Sequence, residues 1–167
     1  NWDTSARVLE KIIAYEAVHA IDDWDALRER LEPADRRCFA FFHPSIPDDP
    51  LIFVEVALTR EIPARIDTVL ASDRERIKPE EAQTAVFYSI SNCHQGLAGV
   101  SFGSFLIKQV AEDLKESVPT LKTFVTLSPV PTFAKWVAGL PKPARARLEA
   151  DERQALSIIE EPGWAQD

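Results

Sequence analysis

The stretch Thr84-Ala-Val-Phe-Tyr-Ser-Ile-Ser91, followed by the loop Asn92-Cys-His-Gln-Gly-Leu-Ala-Gly99, decides how the rest of the chain is read. An apolar run of this length, rich in β-branched and aromatic residues and bounded by turn formers, has the pattern of a buried strand. Helical spacing of apolar residues resumes over 101–117. Strand, glycine loop and helix in that order is a common way for an α/β sheet to offer backbone amides to a ligand.

On the N-terminal side, Ala6, Val8, Leu9, Ile12, Ile13 and Tyr15 predict an amphipathic helix over 4–16, with Thr4 or Asp3 at its start. After the apolar run 17–21, Asp22 and Asp23 can cap a helix over 24–31, which Pro33 helps to end. Strands are expected over 37–43 and 51–58, joined as an antiparallel hairpin through the turn-rich segment 44–50. Residues 64–71 have helical spacing, and the charged segment 72–81 reads as a solvated loop or an irregular helix end whose charges need no functional explanation.

On the C-terminal side, 122–127 reads as a strand closed by Ser128-Pro129-Val130-Pro131, whose two prolines lack the amide donors a sheet needs. Helices are expected over 133–140 and 151–160. The sum is an α/β fold, a mixed central sheet flanked by helices in two or three layers. Residues 1–140 form its core, and 141–167 begin a further helical segment.

The chain has 167 residues, 46% of them hydrophobic, and a net charge of −8, which suits one soluble domain. Its 27 acidic against 19 basic residues argue against a nucleic-acid partner. No run approaches the roughly 20 apolar residues that cross a bilayer, so no membrane partner is expected and the protein reads as cytoplasmic. Methionine is absent even from position 1, which leads to the expectation of a piece of a longer product or a trimmed one. Cys38 and Cys93 sit in apolar runs, where a thiol serves as a small hydrophobe.

Gly99-Val100-Ser101-Phe102-Gly103 matches the G-x-S-x-G nucleophile elbow, which raises a serine hydrolase using Ser101. That reading needs a histidine after the serine, but the last histidine is His94, and the strand ends well before Gly99. The same residues suit an anion cradle: amides at a helix N-terminus point outward, and small side chains at Gly99, Ser101, Gly103 and Ser104 admit a pyrophosphate. His19, His43 and His94 are scattered without metal-ligand spacing, and the first two read as core or near-core groups. Ser128, at a strand end before a proline, reads by position alone as a turn residue.

Three runs together resemble malonyl-CoA decarboxylase. They are Cys38-Phe-Ala-Phe-Phe-His43-Pro with Leu51 to Thr59, then Phe87 to Lys108, then Leu127-Ser-Pro-Val-Pro-Thr-Phe-Ala-Lys-Trp136. The resemblance runs from the Glu16-Ala-Val-His-Ala-Ile21 segment to about Leu140 and implies an acyl-CoA N-acetyltransferase-like fold. It implies that Ala98, Gly99, Val100, Ser101, Phe102, Gly103 and Ser104 bind the CoA pyrophosphate through backbone amides. Ala98 and Ser101 depart from the acetyltransferase loop pattern, while Gly103 keeps its place. Ser128 maps onto the family's catalytic serine, and the family's catalytic histidine has no match in this chain.

The activity so implied is that of a lyase of fatty acid metabolism, converting malonyl-CoA to acetyl-CoA and carbon dioxide with no cofactor and no metal. Malonyl-CoA is then the substrate, acetyl-CoA the product, and the full-length protein a homo-oligomer. An acyl-CoA acyltransferase or a noncatalytic acyl-CoA-binding module would use the same loop.

Overall fold

The computed structural model describes residues 2–97 and 102–161. Helix α1 (Ala6–Tyr15) buries Val8, Leu9 and Ile12, its periodic apolar positions, and starts after Ser5 rather than at Thr4 or Asp3. Helix α2 (Trp24–Leu31) is capped as expected: the Asp23 side chain accepts a 2.7 Å hydrogen bond from the Ala26 amide. The elements that follow are β1 (Arg36–His43), β2 (Ile46–Thr59), α3 (Ile66–Leu70), β3 (Thr84–Asn92), α4 (Phe102–Ser117), β4 (Thr123–Thr126), α5 (Phe133–Ala138), α6 (Lys142–Arg145) and α7 (Ala150–Glu160).

The strands lie in the order β1-β2-β3-β4, the first two pairings antiparallel and the last parallel. The expected mixed sheet flanked by helices is therefore present. On one face, Leu106, Val110 and Leu114 of α4 pack on Ile52, Val54, Val56, Ala85 and Phe87. On the other, α1 and α2 cover Phe53, and Val69 of α3 packs with Ala57, Val86 and Tyr88. Each fully buried Val, Leu, Ile or Phe among them contributes about 1.5–3 kcal/mol.

Strand β2 begins earlier than the sequence suggested, because the segment expected to turn at 44–50 turns only at Pro44 and Ser45. Pro47 and Pro50 are tolerated in the strand because pairing with β3 starts only at Ile52, so their missing amides interrupt no ladder on that side. The charged segment 72–81 also differs from a solvated loop. Ile77 is buried, and Arg74 is held 3.2 Å from the carboxylate of Asp35.

A bulge interrupts the alternation of β3. Val56 faces Phe87 and Glu55 faces Ser89, so Tyr88 is the extra residue. Consequently Tyr88 packs beside α3 while the adjacent Ser89 bonds to the segment after α1, both on one side of the sheet, and Ile90 returns to the α4 side.

The chain divides into two compact units, Asn1–Ser128 and Pro129–Asp167. The first contains the sheet with α1 to α4. The second contains α5 to α7, and within it Glu149 and Glu152 form a reciprocal capping box at the start of α7.

Candidate functional site: the open end of the parallel strand pair

The parallel pairing of β3 with β4 runs from Thr84 opposite Thr123 to Phe87 opposite Thr126. One further bond, from the Leu127 amide to the Phe87 carbonyl at 2.9 Å, completes it. Beyond that point β3 continues to Asn92 while β4 has ended, and Ser128, exposed, is the last residue of the first unit. Pro129 has no amide hydrogen and could not extend the ladder. The sheet thus opens at the carboxyl ends of two parallel strands, where α/β proteins place their ligands.

Helix α4 starts over the same end. A Cβ at Gly103 would lie 3.5 Å from Ile90 Cγ2 and 3.7 Å from Ile52 Cδ1, ordinary contacts that place the first turn of α4 against the sheet. Ser104 is exposed. Ala98, Gly99, Val100 and Ser101 lie outside the described residues, and of Phe102 only the backbone is described. The structure therefore brings Gly103, Ser104 and Ser128 to one end of the sheet.

The underside of this end is polar and partly buried, a feature the sequence reading missed. The Glu16 carboxylate accepts from the amides of Val18 and His19 at 2.7 and 2.8 Å through Oε1, and from Ser89 Oγ at 2.6 Å through Oε2. Ser91 Oγ accepts from the Ala17 amide at 3.3 Å. These bonds fasten the irregular segment after α1 to the half of β3 that β4 leaves uncovered. His19, expected in the core, lies with its ring centroid 6.4 Å from that of Tyr88, and its buried Nε2 has no hydrogen-bond partner among the described residues.

Deeper on the same face, Glu55 is fully buried and accepts from Arg30 at 3.0 Å. Burial raises its carboxyl to about 7; the charge of Arg30 opposes the rise and that of Glu16 adds to it. A lone glutamate inside the apolar run Phe53-Val-Glu-Val was the one sequence signal of this network, since a buried charge requires a partner.

The remaining candidates are inert or structural. Cys38 and Cys93 are free, and burial pushes both thiols up, Cys93 to about 12, so neither ionises near neutrality. His94 lies 3.6 Å from Asp49 and against the Tyr15 ring. Among the described residues no three His, Cys, Asp or Glu side chains gather as metal ligands, and no helix is long and apolar enough to cross a membrane.

A four-stranded mixed sheet that opens between the carboxyl ends of two parallel strands, with helices on both faces, defines an α/β domain. The whole chain, residues 1–167, matches the family model of the malonyl-CoA decarboxylase C-terminal domain, and the chain belongs to that family. It is similar to the solved malonyl-CoA decarboxylases of Agrobacterium vitis (57% identity, TM-score 0.86) and Rhodopseudomonas palustris (56%, 0.84). In each case all of this chain aligns with 41% of the other. Among curated proteins it is 41% identical to the mitochondrial malonyl-CoA decarboxylase of Anser anser anser, over 96% of this chain and 33% of that protein. The chain thus spans about a third of that curated relative's length.

Proposed function

We propose that the protein containing this chain decarboxylates malonyl-CoA, and that the chain supplies the acyl-CoA-binding end of the active site. Membership of the malonyl-CoA decarboxylase family supports the reaction. The observation that carries the site is the opening of β3 from β4 beyond Phe87, with Ser128 and the start of α4 at the same end. In this reading the backbone amides of 98–104 hold the CoA pyrophosphate, helped by the positive end of α4.

The chemistry breaks the bond between the carboxylate carbon and the α-carbon. Carbon dioxide leaves, and the electron pair stays behind as the enolate of the thioester. The site must hold the carboxylate, stabilise the enolate oxygen and deliver a proton to carbon. The Ser128 hydroxyl donates a hydrogen bond to the malonyl group or to the developing oxyanion. Because the electron pair remains on the product until it is protonated, the reaction needs no external electron acceptor. The proton is assigned to a histidine with no counterpart in this chain. We place the protein in the cytoplasm as a homo-oligomer; the curated relatives are named as mitochondrial, which makes the mitochondrion the alternative compartment.

The test supplies malonyl-CoA to this chain and to the full-length Agrobacterium vitis relative, measuring carbon dioxide and acetyl-CoA. The relative should release both, and the chain should bind acetyl-CoA while releasing little carbon dioxide. Turnover by the chain alone would contradict the assignment of the proton to a histidine outside it. Failure of the chain to bind acetyl-CoA would contradict the site.

A further inference from the structure

We propose that the outer edge of β1 docks an extended apolar segment supplied by the part of the full-length protein outside these 167 residues. β1 and β4 are the two edge strands of the sheet. β4 has four residues, short enough to blunt an edge, whereas β1 has eight.

The register fixes which backbone groups of β1 stand open. The Leu58 amide donates to the Asp35 carbonyl at 2.9 Å, and these two residues face each other in the register that pairs Arg36 with Ala57. Bonded and non-bonded pairs alternate in an antiparallel ladder, so Arg37, Phe39 and Phe41 turn their amides and carbonyls to β2, while Cys38 and Ala40 turn theirs outward. The outward carbonyl of Arg36 accepts from Arg37 Nη1 at 2.7 Å. Among the described residues nothing pairs with the backbone of Cys38 or Ala40 on that side. The edge also lacks the usual protections. Cys38-Phe-Ala-Phe-Phe42 contains no charge and no proline, and the register irregularities are confined to 41–43, beside the turn.

Both faces beside this edge suit apolar side chains. On the α1 side a cavity of about 110 Å³ is lined chiefly by Val8, Leu9, Ile12, Leu31, Cys38 and Ala40. At about 30 Å³ per water it has the room of three or four waters, but its apolar walls give water few partners; one branched aliphatic side chain suits it better. On the α4 side Phe41 stacks on Phe105, with ring centroids 5.7 Å apart, and Phe105 is 57% exposed. A strand laid along β1 accepts from the two outward amides and points alternate side chains at the cavity and at the Phe41–Phe105 pair.

The occupant belongs to the same polypeptide rather than to a second copy. The Agrobacterium vitis relative aligns with this chain over 41% of its length, so more than half of that protein lies outside the aligned part. A tethered strand from such a part acts at high effective concentration. In a second copy, Cys38 and Ala40 already line that copy's own cavity and do not fill this one. Two chains of net charge −8 also repel each other.

Hydrogen exchange of the chain and of the full-length protein, each over a range of concentrations, tests the proposal. The amides of Cys38 and Ala40 should exchange at least about 100-fold more slowly in the full-length protein than in the chain, at rates independent of concentration, with the Val54 amide slow in both. Ala40→Pro removes an outward donor without touching the β2 ladder, and Ala40→Leu fills the cavity from within. Each should lower the denaturation midpoint of the full-length protein more than that of the chain. Phe39→Pro breaks a bond to β2 and should lower both. Rapid exchange of Cys38 and Ala40 in the full-length protein, slow exchange in the chain alone, protection that grows with concentration, or equal effects of Ala40→Pro on the two midpoints would each overturn the proposal.

Discussion

Ser89 Oγ donates a 2.6 Å hydrogen bond to Glu16 Oε2, which ties the segment after α1 to the bulge of β3 at the point where β4 ceases to support that strand. A hydrogen bond to a carboxylate contributes about 1.5–3 kcal/mol. Ser89→Ala removes it while leaving Glu16 its two amide donors. Urea denaturation should show a loss of about 1–2 kcal/mol, and hydrogen exchange should speed up at Ala17 and Val18. An unchanged denaturation midpoint would mean that the clamp does not hold this end of the sheet.

Glu55 gives a pH dependence of definite sign. Its carboxyl is raised from 4.5 to about 7 in the folded chain, so between those values the native state binds more protons than the unfolded one. The stabilisation from this group is full below about 4.5 and declines as pH rises towards 7. Glu55→Gln keeps an oxygen for Arg30 and should flatten the stability profile across that window. A profile of equal slope in both proteins would refute the linkage.

Gly103 separates packing from binding. Alanine there makes only ordinary contacts, 3.5 Å to Ile90 and 3.7 Å to Ile52, and gains about 0.5–1 kcal/mol of helix propensity. Gly103→Ala should therefore keep or raise stability with acetyl-CoA affinity unchanged. Gly103→Leu, driven into those isoleucines, should lower the denaturation midpoint. Equal stability of the two variants would contradict the packing of this turn of α4 against Ile90 and Ile52.

The thiols provide a simple check on burial. Both are pushed above their ordinary value, Cys93 to about 12, so the native chain should resist aromatic disulfide reagents at neutral pH and react at both sites once unfolded. Rapid native labelling at either site would contradict their enclosure.

The sheet and α4 were legible in the sequence because apolar periodicity reports burial against a neighbouring layer, and 84–91 and 101–117 carry that pattern cleanly. The early start of β2 was hidden because Pro47 and Pro50 signal a turn unless it is known that β3 does not reach them. The polar network was hidden for a different reason. Glu16, Arg30, Glu55, Tyr88 and Ser89 come from α2, β2, β3 and the segment after α1, and only folding brings them together. Arg74 read as a solvated charge because nothing in 72–81 shows that Asp35 awaits it. Ser128 drew its weight from the family resemblance, and its position at the open end of β4 adds a physical reason for it.

Acyl-CoA should bind where β3 and β4 part, which hydrogen exchange of the full chain with and without saturating acetyl-CoA would reveal. Protection is expected at Tyr88 to Asn92, at the first turn of α4 and at Ser128, with Arg36 and Arg60 at the far end of the sheet unchanged. Protection confined to that far end, or none at Ser128 and the start of α4, would contradict the account.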